Sequence, residues 1–237
     1  RSGWFSDPKT LDLIGKLKHA ADDTMTRSRK GSAEIAVIID DKSWAACRPC
    51  TGMEVGSEIE WPRVGASQDY YVLSDISNPK LPKHKLYVFM NAYWLTDSEI
   101  EAIHKRLKKD HATALWMYAP GYVTDSGLFT QRMKTLTGIN LVCVPKALAT
   151  TMKVYSSQKV AVFRDLSDLT GAKDHAGYVS ELGPVFYADD PAAEVVGELE
   201  LLKKPGFVIK QMDGWRSVFF ASSLMSPEAL RAVADYA

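Results

Sequence analysis

Leu86 to Met90 is an unbroken apolar run, the pattern of a strand covered on both faces, where neither side meets water. Asn91 closes it. Thr96 followed by Glu99 predicts a capping box: the Thr hydroxyl accepts an amide of the first helical turn, and the Glu carboxylate reaches back to the Thr amide. Leu95 and Ile100 are placed to staple across that start. The helix that follows sets Ile100, Ile103 and Leu107 on one stripe. It turns Glu99, Glu101, Lys105, Arg106, Lys108 and Lys109 away from that stripe, which predicts a solvated charged face. Acids at its start and bases at its end suit the helix dipole, each by a few tenths of a kcal/mol up to about 1 kcal/mol. Ala114 to Ala119 is a second apolar run. A strand, helix, strand unit of this length predicts a parallel pair joined by a right-handed crossover.

The same patterns recur along the chain. Asp7 and Pro8 start a helix that carries Leu11, Ile14, Leu17 and Ala21 on one stripe. A polar stretch from Arg27 to Gly31 follows, so residues 1–31 read as a lead-in helix and linker and residues 32–237 as the domain proper. Glu34 to Ile39 is a buried strand ending on Asp40 and Asp41, and Tyr70 to Leu73 is a short strand before the Pro-punctuated turn SNPKLPKHK. Gly127 to Leu136 predicts a helix stopped by Gly138, and Ile139 to Val144 a fifth strand closed by Pro145. Tyr155 to Phe163 and Pro184 to Tyr187 predict strands, and Asp190-Pro191 a short helix. Phe207 to Lys210 and Trp215 to Ala221 form a pair turned at Asp213-Gly214, and Ser226-Pro227 starts a last helix. Strands alternating with helices predict an α/β fold: a doubly wound, flavodoxin-like parallel sheet with a C-terminal strand pair and helix.

Composition narrows the partners. With 46% hydrophobic residues the 237-residue chain is globular, and its 29 basic residues balance its 29 acidic ones, leaving no net field to draw in nucleic acid or an anionic membrane. No apolar run approaches the ~18 residues of a membrane span. The chain starts at Arg1 and stops at Ala237 inside an expected helix, so it reads as a piece of a longer chain, with the compartment left open. Three cysteines argue against a disulfide framework. Cys47 and Cys50 form a CRPC pair, but a redox pair should open a helix, whereas TGMEVGSE reads as loop; zinc would need two more ligands. No metal or cofactor is expected.

Ligands of such sheets bind beyond the carboxyl ends of the strands, which selects Asp40, Asp41, Asn91 to Trp94, Tyr118 to Tyr122 and Lys146. A phosphoacceptor would need an Asp where Asn91 ends its strand, and an amide accepts no phosphoryl group. A nucleophile elbow of the amidotransferase kind has its place at Met117 to Gly121. Ala119 stands where the Cys or Ser should be, so no catalytic residue is assigned. A glycosidase pair of carboxylates about 5 to 9.5 Å apart is not identifiable, and the eight units of a barrel are missing. Trp44, Tyr93, Trp94, Tyr118 and Tyr122 gather at strand ends with Asn91. Rings that stack on sugars and an amide that bonds hydroxyls make this a candidate carbohydrate or interface site, set against the plainer reading that the rings fill space beneath loops.

The segments AEIAVIIDDKSW, YVLSDISNPKLPKHKLYVFMNAYWLTDSEIEAI, LWMYAPGY, LGPVFYADDPAAEVVGEL and DGWRSVFFAS, led in by GWFSDPKTL, resemble one known domain. It is the class I glutamine amidotransferase-like domain that follows the catalytic barrel in β-galactosidase-type glycoside hydrolases, called the trimerisation domain in family 42. The resemblance implies a non-catalytic accessory domain: a barrel of the same parent chain supplies the catalytic carboxylates, and this domain supports a homo-oligomer, a trimer in that family, and brings loops near a sugar site. A stand-alone amidotransferase-like small-molecule hydrolase or a carbohydrate-binding module is the alternative. Two departures stand out. His111 occupies a turn where the family pattern leads one to expect Gly, at a left-handed position costing about 1 kcal/mol for a residue with a side chain. The loop carrying Cys47 and Cys50 is altered.

Overall fold

The computed structural model describes residues 7–26, 33–46, 61–154, 161–163, 166 and 181–237, so Cys47 and Cys50 lie outside the described residues. The chain divides into two compact units, Arg1–Ser32 and Ala33–Ala237. In the first, helix α1 (Pro8–Thr26) starts where Asp7 Oδ2 accepts the Thr10 amide at 2.9 Å. None of its residues is buried, and Leu11, Ile14 and Leu17 of its stripe are exposed.

The second unit runs β1 (Ile35–Ile39), α2 (Asp41–Ala46), a 3₁₀ turn (Trp61–Val64), β2 (Gln68–Val72), a second 3₁₀ turn (Leu73–Ser77), β3 (Leu86–Phe89), α3 (Asp97–Asp110) and β4 (Thr113–Met117). It continues with β5 (Val123–Thr124), β6 (Gly127–Leu128), α4 (Thr130–Thr137), β7 (Leu141–Val144), β8 (Leu148–Ala149) and β9 (Met152–Val154). After a third 3₁₀ turn (Ala161–Phe163) come β10 (Glu181–Leu182), β11 (Val185–Ala188), β12 (Glu194–Leu199), β13 (Lys204–Gln211), β14 (Arg216–Phe220) and α5 (Pro227–Tyr236).

Eight strands form one sheet in the order β2-β1-β3-β4-β14-β13-β12-β9. The strands from β2 to β14 pair in parallel, and β13, β12 and β9 extend the sheet antiparallel. Register explains the apolar runs. Val37, Val88, Leu115 and Val218 form one row across four strands, and Ile38, Phe89, Trp116 and Phe219 form the next. Adjacent rows point to opposite faces of a sheet, and both rows are buried, so both faces are covered. Each such side chain contributes roughly 1.5–3 kcal/mol by leaving water. Phe89 and Trp116 also stack with centroids 4.4 Å apart.

Four expectations are corrected. The run Ile139 to Val144 forms β7 but pairs antiparallel with β11, outside the main sheet, and β14 takes the place beside β4. The reason is apolar bulk: Ser217 to Phe220 are all buried in β14, whereas β7 buries only Leu141. Residues 161–163 of the expected strand form a 3₁₀ turn that packs Phe163 on Phe207 and Tyr236, and residues 155–160 lie outside the described residues. Asp190 caps a turn instead of starting a helix, accepting the Ala192 and Ala193 amides through its carboxylate and carbonyl, after which Glu194 to Leu199 is drawn between β13 and β9. The helix expected from Gly127 begins at Thr130, after the β5–β6 ribbon, and Gly138 ends it at φ 72°.

The charged face of α3 also differs from expectation. Arg106 is only 6% exposed. Its guanidinium donates to the carbonyls of Ile76 (3.4 Å), Asn78 (2.7 Å) and Leu81 (3.3 Å), the loop that leads into β3. A charge that binds three backbone carbonyls is better satisfied there than a periodic pattern can indicate. The capping box is as expected: the Glu99 amide bonds Thr96 Oγ1 at 3.3 Å, and the Thr96 amide bonds Glu99 Oε2 at 2.6 Å.

Candidate functional site

The order β2-β1-β3 places a chain reversal beside β1, and the residues that follow β1 and β3 face each other across it. There the Asn91 side chain bridges the two strand ends. Its Oδ1 accepts the Asp40 amide at 2.8 Å and its Nδ2 donates to the Asp40 carbonyl at 2.8 Å. Both residues are buried. The Asp40 carboxylate is the cap of α2, taking the amides of Lys42 at 3.3 Å and Ser43 at 3.1 Å together with the Ser43 hydroxyl. Burial pushes the Asp40 carboxyl above its ordinary value, against the bonds from Ser43 that pull it down. Asp41, the first residue of α2, is exposed.

Ser43 was not among the expected site residues, yet it joins the site together. Its Oγ accepts the amides of Tyr93 at 3.2 Å and Trp94 at 2.8 Å. A fully buried hydroxyl with its proton on Asp40 and its oxygen on two amides is not a nucleophile. The Trp94 indole donates to Asp125 Oδ1 at 2.8 Å, and Lys42 Nζ lies 5.4 Å from the Trp94 ring centroid and 3.4 Å from Glu99. Burial alone would raise the Glu99 carboxyl, but the Thr96 amide and hydroxyl and Lys42 hold it below its usual range.

The other rings form a chain behind this edge. Tyr93 is 4% exposed and meets Tyr118 edge-on at 5.8 Å; Tyr118 and Tyr122 each meet Phe186 edge-on, at 5.7 and 4.8 Å. Burial and the Cys143 thiol, 3.6 Å from its hydroxyl, push Tyr122 up to about 12. Trp44 stands apart at 40% exposed, and Trp94 is half-buried. Sequence cannot separate these cases, because an aromatic at a strand end reads the same whether a loop covers it or not.

The strained position of the β4 turn is Tyr118, at φ 62°, one residue before Ala119. The Gly121 amide ties the turn to the Ala92 carbonyl at 2.7 Å. A nucleophile elbow puts its reagent on such a strained residue and runs directly into a helix. Here the residue is a tyrosine whose hydroxyl donates to the Pro184 carbonyl at 2.9 Å, and the β5–β6 ribbon follows instead. Among the described residues no three His, Cys, Asp or Glu side chains gather as metal ligands.

No protein-family model matches the sequence, and no curated protein matches it significantly. Solved structures do share its fold. The cold-adapted β-galactosidase from Rahnella sp. R3 superposes with a TM-score of 0.66 at 13% identity, over 98% of this chain and 35% of that one. A β-galactosidase from the haloarchaeon Halorubrum lacusprofundi gives a TM-score of 0.60 at 14% identity, over 91% and 32%. A catalytic mutant of Gan42B, a GH42 β-galactosidase from G. stearothermophilus, gives 0.60 at 12%, over 98% and 33%. This chain therefore has the fold of a segment that makes up about a third of these β-galactosidases, and it spans only that share of their length.

Proposed function

We propose that this chain is a non-catalytic accessory domain of a larger β-galactosidase-like glycoside hydrolase, an amidotransferase-like, flavodoxin-like sheet that assembles as a homo-oligomer, a trimer, beside a catalytic barrel of the same parent chain. The observation that carries the reading is the fold likeness over 98% of this chain but only about a third of those enzymes. The strand ends support it. The turn where a reagent would sit holds Tyr118, with its hydroxyl bound to a carbonyl, and at the chain reversal the Asn91 side chain is taken up by the Asp40 backbone and the Asp40 carboxylate by Lys42 and Ser43.

The test is turnover by the chain on its own. A chromogenic galactoside and a chromogenic ester should be hydrolysed no faster than in buffer, and a saturable rate on either would favour the stand-alone hydrolase instead.

A second reading of the same edge is contact with carbohydrate, favoured by the accessible Trp44 ring and by the half-buried Trp94 with its Asp125 partner. Galactose or lactose should then perturb the indole fluorescence, and Trp44→Ala together with Trp94→Ala should abolish the effect. An unchanged response in that double variant removes this reading and leaves the assembly role untouched.

A further inference from the structure

A pocket opens between α3 and the loop after β2. Its volume is about 490 Å³. Ile76, Pro79 and Ala102 supply apolar wall, and Lys105, Arg106 and Lys109 supply charge. Three observations make it more than a gap between elements. First, Arg106 is almost wholly buried while lining the pocket, so its charge acts where water screens it little. Second, a guanidinium has five N–H groups, and the three carbonyls it binds use one on each nitrogen. One N–H on each terminal nitrogen is left over. Asp110 is the buried ion-pair partner of the guanidinium, its Oδ2 3.8 Å from Nη1, but it takes no hydrogen bond from either terminal nitrogen and accepts the Tyr87 hydroxyl at 2.5 Å instead. Third, Lys105 and Lys109 have no ion-pair partner among the described residues, although most charged residues of α3 are paired.

We propose that this pocket binds a small organic carboxylate, with its two oxygens on the two spare N–H groups of Arg106, the ammonium groups of Lys105 and Lys109 adding attraction, and an apolar body against Ile76, Pro79 and Ala102. A planar carboxylate matches a pair of guanidinium N–H groups, a geometry that a tetrahedral anion or a lone halide uses less well. The site is independent of the assembly role. It also gives α3 two kinds of basic residue: Lys108, which pairs with Asp213, and the set that faces the pocket.

The experiment is an amide chemical-shift titration of the chain with sodium benzoate at constant ionic strength, with benzamide and inorganic phosphate as comparisons. Benzoate should shift the amides of residues 76–78 and 102–109 and saturate, benzamide should not, and phosphate should bind more weakly. Arg106→Gln risks releasing the loop it holds, so the deciding variant is Lys105→Gln with Lys109→Gln, which changes only exposed side chains. It should weaken benzoate binding by about tenfold or more while leaving the spectrum folded. Shifts confined to other residues, equal binding of benzamide, or an affinity unmoved by the double substitution would overturn the proposal.

Discussion

Asn91 is the residue on which the strand-end geometry depends. One side chain satisfies both the amide and the carbonyl of Asp40 at the point where β1 and β3 diverge. Asn91→Ala leaves the buried Asp40 amide unpaired, while the Asp40 carbonyl keeps the Trp44 amide at 3.0 Å, so urea unfolding should show a loss of about 1–3 kcal/mol, and a loss below about 0.5 kcal/mol would contradict this role. His111 works in the other direction. Its φ of 52° ends α3 in the left-handed region, with only a 3.3 Å contact from Nδ1 to the Gly214 carbonyl in return. His111→Gly should raise stability by about 0.5–1 kcal/mol, read from the same unfolding curves. Asp40 gives a pH signature. Its folded pKa is raised above the ordinary 3.8, so between the two values the folded chain holds a proton that the unfolded chain has lost. Its contribution is therefore most favourable below the unfolded value and is lost as pH rises through the folded one. The stability of the native chain relative to Asp40→Asn should fall as pH rises from acid through that window, and a rise would contradict the sign. At this scale sequence reading found Asp40 and Asn91 by their place after apolar runs. It missed Ser43, whose signal was only its position three residues after a capping Asp.

Among the elements, those held by local chemistry were legible. Strands β1, β3 and β4 announce themselves because a strand covered on both faces has no polar alternation to hide in, and α3 because Thr96 and Glu99 mark its start. Thr96→Ala should cost about 1 kcal/mol and bring the Glu99 carboxyl back up toward its ordinary range, which a carbon-detected titration of Glu99 would follow. Because the Glu99 value is lowered, its contribution is present above the unfolded value and is lost as pH falls through the folded one. What was not legible is partner choice. Nothing local tells the LVCV of β7 that SVFF, roughly 75 residues later, fills the place beside β4 with bulkier side chains. Arg106 is the same problem in a side chain, since its carbonyl partners lie 25 to 30 residues upstream.

For the whole molecule, the parallel half of the sheet, β2-β1-β3-β4-β14, has the order that doubly wound folds use to make a ligand crevice, and here the crevice is bridged from within by Asp40 and Asn91. A fold that keeps the frame of a binding site while its polar groups bond one another suits a domain whose work is contact between chains. The likeness to about a third of several β-galactosidase chains is one of fold. The most direct test is sedimentation velocity of this chain over a wide concentration range. The account predicts a discrete oligomer, a trimer, that persists on dilution and dissociates without intermediate aggregates; a single monomeric boundary at every concentration would contradict it.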